Sequence, residues 1–288
     1  MASWRGEVDI PAPEVGRLGA VVPMVLERAR ALRVADGTLL DPWNGHAPLD
    51  LHVVAGTHPL VGARYEGTHR SVLADGSTSD PDVEPDSDST SDRDDAVDEW
   101  PDAIEHLWAA SIDADDARSA KVTIIDGAGT DDEISLAVEV PEPAHPTEVR
   151  FVNLLPVAND GFMVGHIETE GTISWDRLRS ARDGSHRIAT VHIGHPRFRA
   201  GIVADAEPHG DTWRITAEGF VSGRGMSRPL FALMMFFVAR KFRPVLDRRL
   251  AELAEPVEQW NDLARAHPRD DELADAIVDQ WLDHFRRA

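Results

Sequence analysis

The stretch TWRITAEGFVSGRGMSRPLFALMMFFVARKFRPVLDRRLAELAE, residues 212–255, decides the reading of the fold. Its first part sets Trp213, Ile215, Ala217 and Val221 on one face, opposite Arg214, Thr216 and Glu218, the two-residue period of a half-buried strand. Gly223 and Gly225 then relieve the backbone at a strand-to-helix turn, Ser227 is a candidate cap, and Pro229 suits a first helical turn. From there Phe231, Met235, Val238, Phe242, Leu246, Leu250 and Leu253 recur at three- and four-residue steps, a stripe suited to lie against a sheet, with a bend expected at Pro244. Leu230, Leu233, Met234, Phe236 and Phe237 fill the remaining directions, so the first three turns are apolar all round and need a cover. The run falls short of the roughly 20 residues that cross a bilayer, which rejects a transmembrane helix.

Upstream of this stretch the same alternation recurs. Residues 121–126 and 133–140 flank Gly127, Gly129 and Asp131 and read as a hairpin, with Ile134, Leu136, Val138 and Val140 on its apolar side. Further strands are expected at residues 148–155, 162–169, 187–193 and 198–206, linked as an antiparallel meander. Nearer the start, residues 6–12 and 51–55 read as strands and residues 19–32 as a helix, while Pro101 opens an expected short helix over residues 101–110. Beyond the long helix, Leu273, Ile277, Val278, Trp281, Leu282 and Phe285 mark another amphipathic helix.

Composition narrows the partners. The 288 residues carry a net charge of −22, with Lys121 and Lys241 the only lysines. Phosphate binding needs clustered cations, so nucleic acid is excluded as a general partner. Without cysteine there is no disulfide, thiolate metal site or Cys nucleophile. Residues 1–10 show no secretory signal, and the chain is expected in the cytoplasm. Residues 74–99 are almost wholly Asp, Ser, Thr, Pro and Glu, with Arg93 the one basic residue, and read as a disordered acidic insertion. The expected organisation is therefore an N-terminal part, residues 1–73, completing the same domain, then the insertion, a main α+β region over residues 100–255, and a helical extension over residues 256–288.

The order of sheet, glycine-rich turn and long helix in residues 212–255, together with the opening VDIPAPEV of residues 8–15, resembles the SRPBCC superfamily, the START-like or polyketide-cyclase-like proteins. The resemblance spans about a third of the chain. It implies an α+β helix-grip fold, an antiparallel sheet wrapped around the long C-terminal helix, with an apolar cavity between them. The acidic insertion and the tail after residue 255 depart from that pattern.

Fold does not choose function, so the side chains must. Surplus apolar residues on the long helix, Phe231, Met234, Met235, Val238 and Phe242, together with Trp213, lead to non-enzymatic binding of a hydrophobic small molecule or lipid, with flexible thioethers adapting to varied shapes. An alternative is a cyclase- or hydrolase-like activity with His166 or His192 as proton carrier. His166, Glu168 and Glu170 share one side of a strand and are the candidate metal ligands, against the plainer reading of a solvated face. His192 and His195 end a strand, and His52 and His58 have no nucleophile placed beside them. A third reading takes Arg240, Lys241, Arg243, Arg248 and Arg249 beside the apolar block as a peripheral membrane or partner surface. Phosphate-loop, dinucleotide-binding, HExxH and GxSxG signatures are absent, no cofactor is expected, and the oligomeric state stays open.

Overall fold

Alternating apolar residues along most of the chain organise a single antiparallel sheet of thirteen strands. The computed structural model describes residues 2–71, 104–128, 133–157, 165–180, 186–224, 247–248, 250–283 and 285–286. In chain order the strands are β1 (Ala2–Pro11), β2 (Arg33–Ala35), β3 (Thr38–Leu40), β4 (Pro48–Ala55), β5 (Arg64–Ser71), β6 (Ile104–Asp115) and β7 (Ser119–Asp126). They continue as β8 (Ile134–Pro141), β9 (Glu148–Val157), β10 (Gly165–Ser174), β11 (His186–His195), β12 (Phe198–His209) and β13 (Thr212–Gly223). Strands β2 to β13 lie in sequence order across the sheet, and β1 closes the far side against β13. The opening and final strands are thus neighbours, with Val8 opposite Ile215 and Ile10 opposite Trp213. The expected hairpin is present, Lys121 facing Glu139 and Ile124 facing Leu136.

Among the described residues four α-helices accompany the sheet, α1 (Leu18–Arg30), α2 (Trp175–Ser180), α3 (Ala254–Ala266) and α4 (Asp270–Asp283). The apolar stripe of α4 behaves as its spacing demands: Leu273, Val278 and Leu282 are buried, and Phe285 follows just beyond the helix. Val278, Leu282 and Phe285 join Leu39, Leu49, Leu51, Tyr65 and Ala110 of the sheet and Leu32 after α1 in the main core. A second cluster joins Ile10, Ala206, Trp213 and Ile215 to Ala254 and Val257 of α3. A third, Val21, Ala264, Leu273 and Ala274, welds the helices to one another.

Polar ties fix the helices in register. Buried Asn261 accepts from the Glu14 amide at 3.0 Å and donates to the Ala12 carbonyl at 3.0 Å, so both ends of its amide are satisfied. Arg17 donates to Asp270 at 2.7 Å and to the Ala264 carbonyl at 2.7 Å, and Arg28 reaches Asp275 at 2.6 Å. Arg286 binds Asp41, Asp279 and Asp283 together, locking the end of α4 to the turn after β3.

Two expectations are corrected. The sheet is not wrapped around one long C-terminal helix. Thirteen strands at ~4.8 Å spacing make a sheet about 58 Å broad, whereas a helix is only ~10–12 Å thick, so no single helix serves as its axis. The described helices are short and separate, and α1 from the N-terminal part does much of the covering. Most of the long helix read from the sequence, including Phe231, Met234, Met235, Val238 and Phe242, lies outside the described residues, as does the acidic insertion. Of the helix expected over residues 101–110, the described part, residues 104–110, is instead the start of β6. Ala109 and Ala110 favour a helix locally, but pairing with β5 on one side and β7 on the other overrides propensity. Among the described residues no helix is long and apolar enough to cross a membrane.

Candidate functional site

Where α1 and α4 cross the strands β3 to β7, their side chains leave a cavity of about 380 Å³. The sheet supplies Leu39, Leu51, Tyr65, Trp108, Ala110, Ile112, Val122 and Ile124. Strand geometry explains the selection: Trp108, Ala110 and Ile112 are two residues apart on β6, and Tyr65 and Ile124 flank Ala110 as its cross-strand partners. Helix geometry gives the roof, with Val25 and Ala29 one turn apart on α1 and Ile277 and Trp281 one turn apart on α4. Small Ala110 in the floor and Ala29 in the roof are what larger residues elsewhere in the core would have filled. The wall is almost wholly carbon.

His58 and cis-linked Pro59 enter the wall from the loop between β4 and β5. The loop is held by Gly56, whose positive φ of 73° and 2.6 Å approach of a would-be Cβ to the Gly62 carbonyl require glycine. His58 Nδ1 and the Tyr65 hydroxyl are hydrogen-bonded at 2.7 Å, their rings edge to face at 5.8 Å. Burial pulls the imidazole below its usual range, against the Leu32 and Arg30 carbonyls, which favour the charged ring. Nε2 is buried and makes no hydrogen bond of acceptable geometry. Burial likewise pushes the Tyr65 hydroxyl up to about 12. The pair is therefore neutral at pH 7, with Nδ1 and the hydroxyl bonded to each other and Nε2 buried without a hydrogen bond.

The cavity opens on one side. Trp281 is 37% exposed, and with the charged side chains of Arg30 and Asp115, 39% and 21% exposed, it marks the rim. Asp115 accepts from both Nε and Nη2 of Arg30, a fork that holds the end of α1 to the end of β6. The hydrogen bonds Arg30 donates to Asp115 outweigh desolvation and raise the pKa of the guanidinium.

The residues singled out from sequence fall elsewhere. His166, Glu168 and Glu170 do share a side of β10, and Glu170 stands opposite His192 of β11. All four are exposed, and among the described residues no group of three or more His, Asp or Glu side chains is arranged to hold a metal ion. Trp213 is buried in the second core cluster and does not line the cavity. His195 is 2% exposed, accepts the Arg197 amide at Nδ1 and stacks on Phe198 at 4.8 Å, where it shapes the turn out of β11. His52 is tied to Thr38 at 3.0 Å across β3 and β4. Of the basic cluster, Arg248 is exposed and the other four members lie outside the residues whose side chains are described.

Sequence reading missed Tyr65, the chain's single tyrosine, and with it the partner of His58. The signal was available in residues 56–65, GTHPLVGARY, where two glycines and a proline reverse the chain and bring positions 58 and 65 together. Comparison of the chain with family models, curated proteins and solved structures finds no match, so the site is interpreted from its own chemistry.

Proposed function

We propose that the protein binds a hydrophobic small molecule or the hydrocarbon part of a lipid in the cavity under α1 and α4. The observation that carries this reading is the combination of about 380 Å³ of space with a wall of carbon. The volume falls inside the roughly 300–1,000 Å³ typical of small-molecule sites. Left dry, a void of this size corresponds to about 9 kcal/mol of lost stabilisation at about 24 cal/mol per Å³, comparable with the whole net stability of a domain. Water entering through the open side finds almost no hydrogen-bonding partner on the wall. An apolar occupant removes both costs.

Nothing in the described lining favours turnover. The titratable groups there are His58, Tyr65, Arg30 and Asp115; His58 Nδ1 bonds the Tyr65 hydroxyl, Arg30 bonds Asp115, and His58 Nε2 is buried. Binding and carriage are the simpler use of such a site.

Titration with the uncharged fluorophore N-phenyl-1-naphthylamine tests the proposal. The expected result is saturable one-to-one binding with a blue-shifted emission, weakened about tenfold or more by Ala110→Leu, which adds three carbons to the cavity floor. Absence of saturable binding, or binding indifferent to Ala110→Leu in a folded variant, would contradict it.

A further inference from the structure

The rim of the cavity says more about the ligand than its depth does. In the floor, Leu32, Leu39, Leu51 and Ala110 offer only carbon, the Tyr65 hydroxyl is engaged with His58 Nδ1, and His58 Nε2, though it makes no hydrogen bond, is buried away from the accessible surface. A polar group on the ligand therefore has no partner in the interior and must sit at the opening. The charged lining residues, Arg30 and Asp115, are there, with side chains 39% and 21% exposed.

Resting on the reading of the cavity as a binding site, we infer that the ligand is an uncharged amphiphile, an alcohol on a hydrocarbon body, whose hydroxyl seats against the Arg30–Asp115 pair. Asp115 already neutralises Arg30, so the rim presents one donor and one acceptor of opposite charge and no net charge. Glu27, one turn back on α1, adds negative potential at Arg30, and the whole chain carries −22. A carboxylate arriving there meets Asp115 and that field; an ammonium meets Arg30. A hydroxyl is both donor and acceptor. It accepts from Nη1, which lies outside the fork to Asp115, and donates to a carboxylate oxygen that keeps lone pairs beyond those used by Arg30. The hydrocarbon body then extends past Trp281 to the floor.

Displacement of N-phenyl-1-naphthylamine from the full chain by four probes of equal chain length tests the inference: decan-1-ol, decanoate, decylammonium and decyl methyl ether. The alcohol is expected to displace the fluorophore at about tenfold lower concentration than each of the others, the ether failing because it accepts but cannot donate. Asp115→Asn leaves the guanidinium without its neutralising partner and is expected to shift the preference to decanoate. The double variant Arg30→Leu/Asp115→Leu is expected to lose the advantage of alcohol over ether, read as the ratio of the two displacing concentrations within that variant. A wild type that prefers decanoate or decylammonium, or an alcohol preference that survives in either variant, overturns the hydroxyl assignment while leaving the cavity as a binding site. Failure of the fluorophore itself to bind the wild type overturns both.

Discussion

Leu49 and Leu51 lie two residues apart on the same face of β4, each only 1% exposed and each part of the main core. Leu51 lines the cavity and Leu49 does not. Truncating a buried leucine to alanine costs about 2–5 kcal/mol, the spread reflecting how many neighbours the lost atoms had and how large a hole they leave. Leu49 is surrounded by packed atoms, so Leu49→Ala is expected near the top of that range, about 4 kcal/mol. Leu51 already faces empty space on one side and makes fewer dispersion contacts, so Leu51→Ala is expected near the bottom, about 2–2.5 kcal/mol. Urea unfolding of the ligand-free protein, followed by tryptophan fluorescence, reads the difference directly. For a chain of this size each kcal/mol also moves the melting temperature by about 2–4 °C. With N-phenyl-1-naphthylamine present the order of sensitivity reverses for affinity: Leu51→Ala weakens binding and Leu49→Ala does not. Equal costs for the two leucines, or a larger one for Leu51, would show that the space beside Leu51 is packed.

Other consequences concern the frame of the site. Gly67→Ala places a Cβ 2.4 Å from the Asp50 backbone carbonyl between β4 and β5, a clash that no side-chain rotation relieves, and a loss of about 1–3 kcal/mol or more is expected in thermal unfolding. Asp41 is 1% exposed; burial works to raise its pKa, but hydrogen bonds from Arg286 and from the Trp43 and Asn44 amides outweigh that and lower it. Its contribution is therefore complete above the unfolded value of about 3.9 and disappears as pH falls through the lower folded value; Asp41→Ala is expected to cost about 3 kcal/mol at pH 7, and urea midpoints across pH check both statements. His58 has a lowered folded pKa, so the unfolded chain binds the extra proton first, and stability falls as pH drops below about 6.5 through the folded value. His58→Gln is expected to flatten that part of the pH profile, and an unchanged slope would show that His58 is not buried in neutral form.

Much of the sheet could be read from the chain because alternation survives in strands with one covered face. In β13, buried Trp213, Ile215 and Ala217 alternate with less buried neighbours, and in α4 the three- and four-residue spacing of Leu273, Ile277, Val278 and Trp281 is that of a helix lying on a surface. The same periodicity says nothing about how wide a sheet becomes. Strands β2 and β3 are three residues each, and β5 carries Arg64, Glu66 and Gly67, too polar and too interrupted to stand out. Missing these strands while reading β6 as a helix led to a sheet small enough to wrap one helix. The cavity expected between the sheet and a long helix was placed on Phe231, Met234, Met235, Val238, Phe242 and Trp213; Trp213 lies in the second core cluster and the others lie outside the described residues, whereas the cavity under α1 and α4 is lined by different residues. The lining of the cavity under α1 and α4 comes from five strands, two loop segments and two helices, and what creates it is smallness at Ala29 and Ala110, a property that acquires meaning only once the topology brings those positions together. The His58–Tyr65 bond was hidden for the same reason, since the loop between β4 and β5 sets their meeting. Conversely, the clustered His166, Glu168 and Glu170 drew notice through alternation alone, and in the structure they line an exposed strand face.

The most direct measurement is native mass spectrometry of the purified full chain, followed by organic extraction and identification of whatever is released. An apolar molecule bound one to one, lost from Ala110→Leu, is the predicted result. A clean mass of the bare chain, from a protein that also fails to take up N-phenyl-1-naphthylamine, would contradict a ligand cavity beneath α1 and α4.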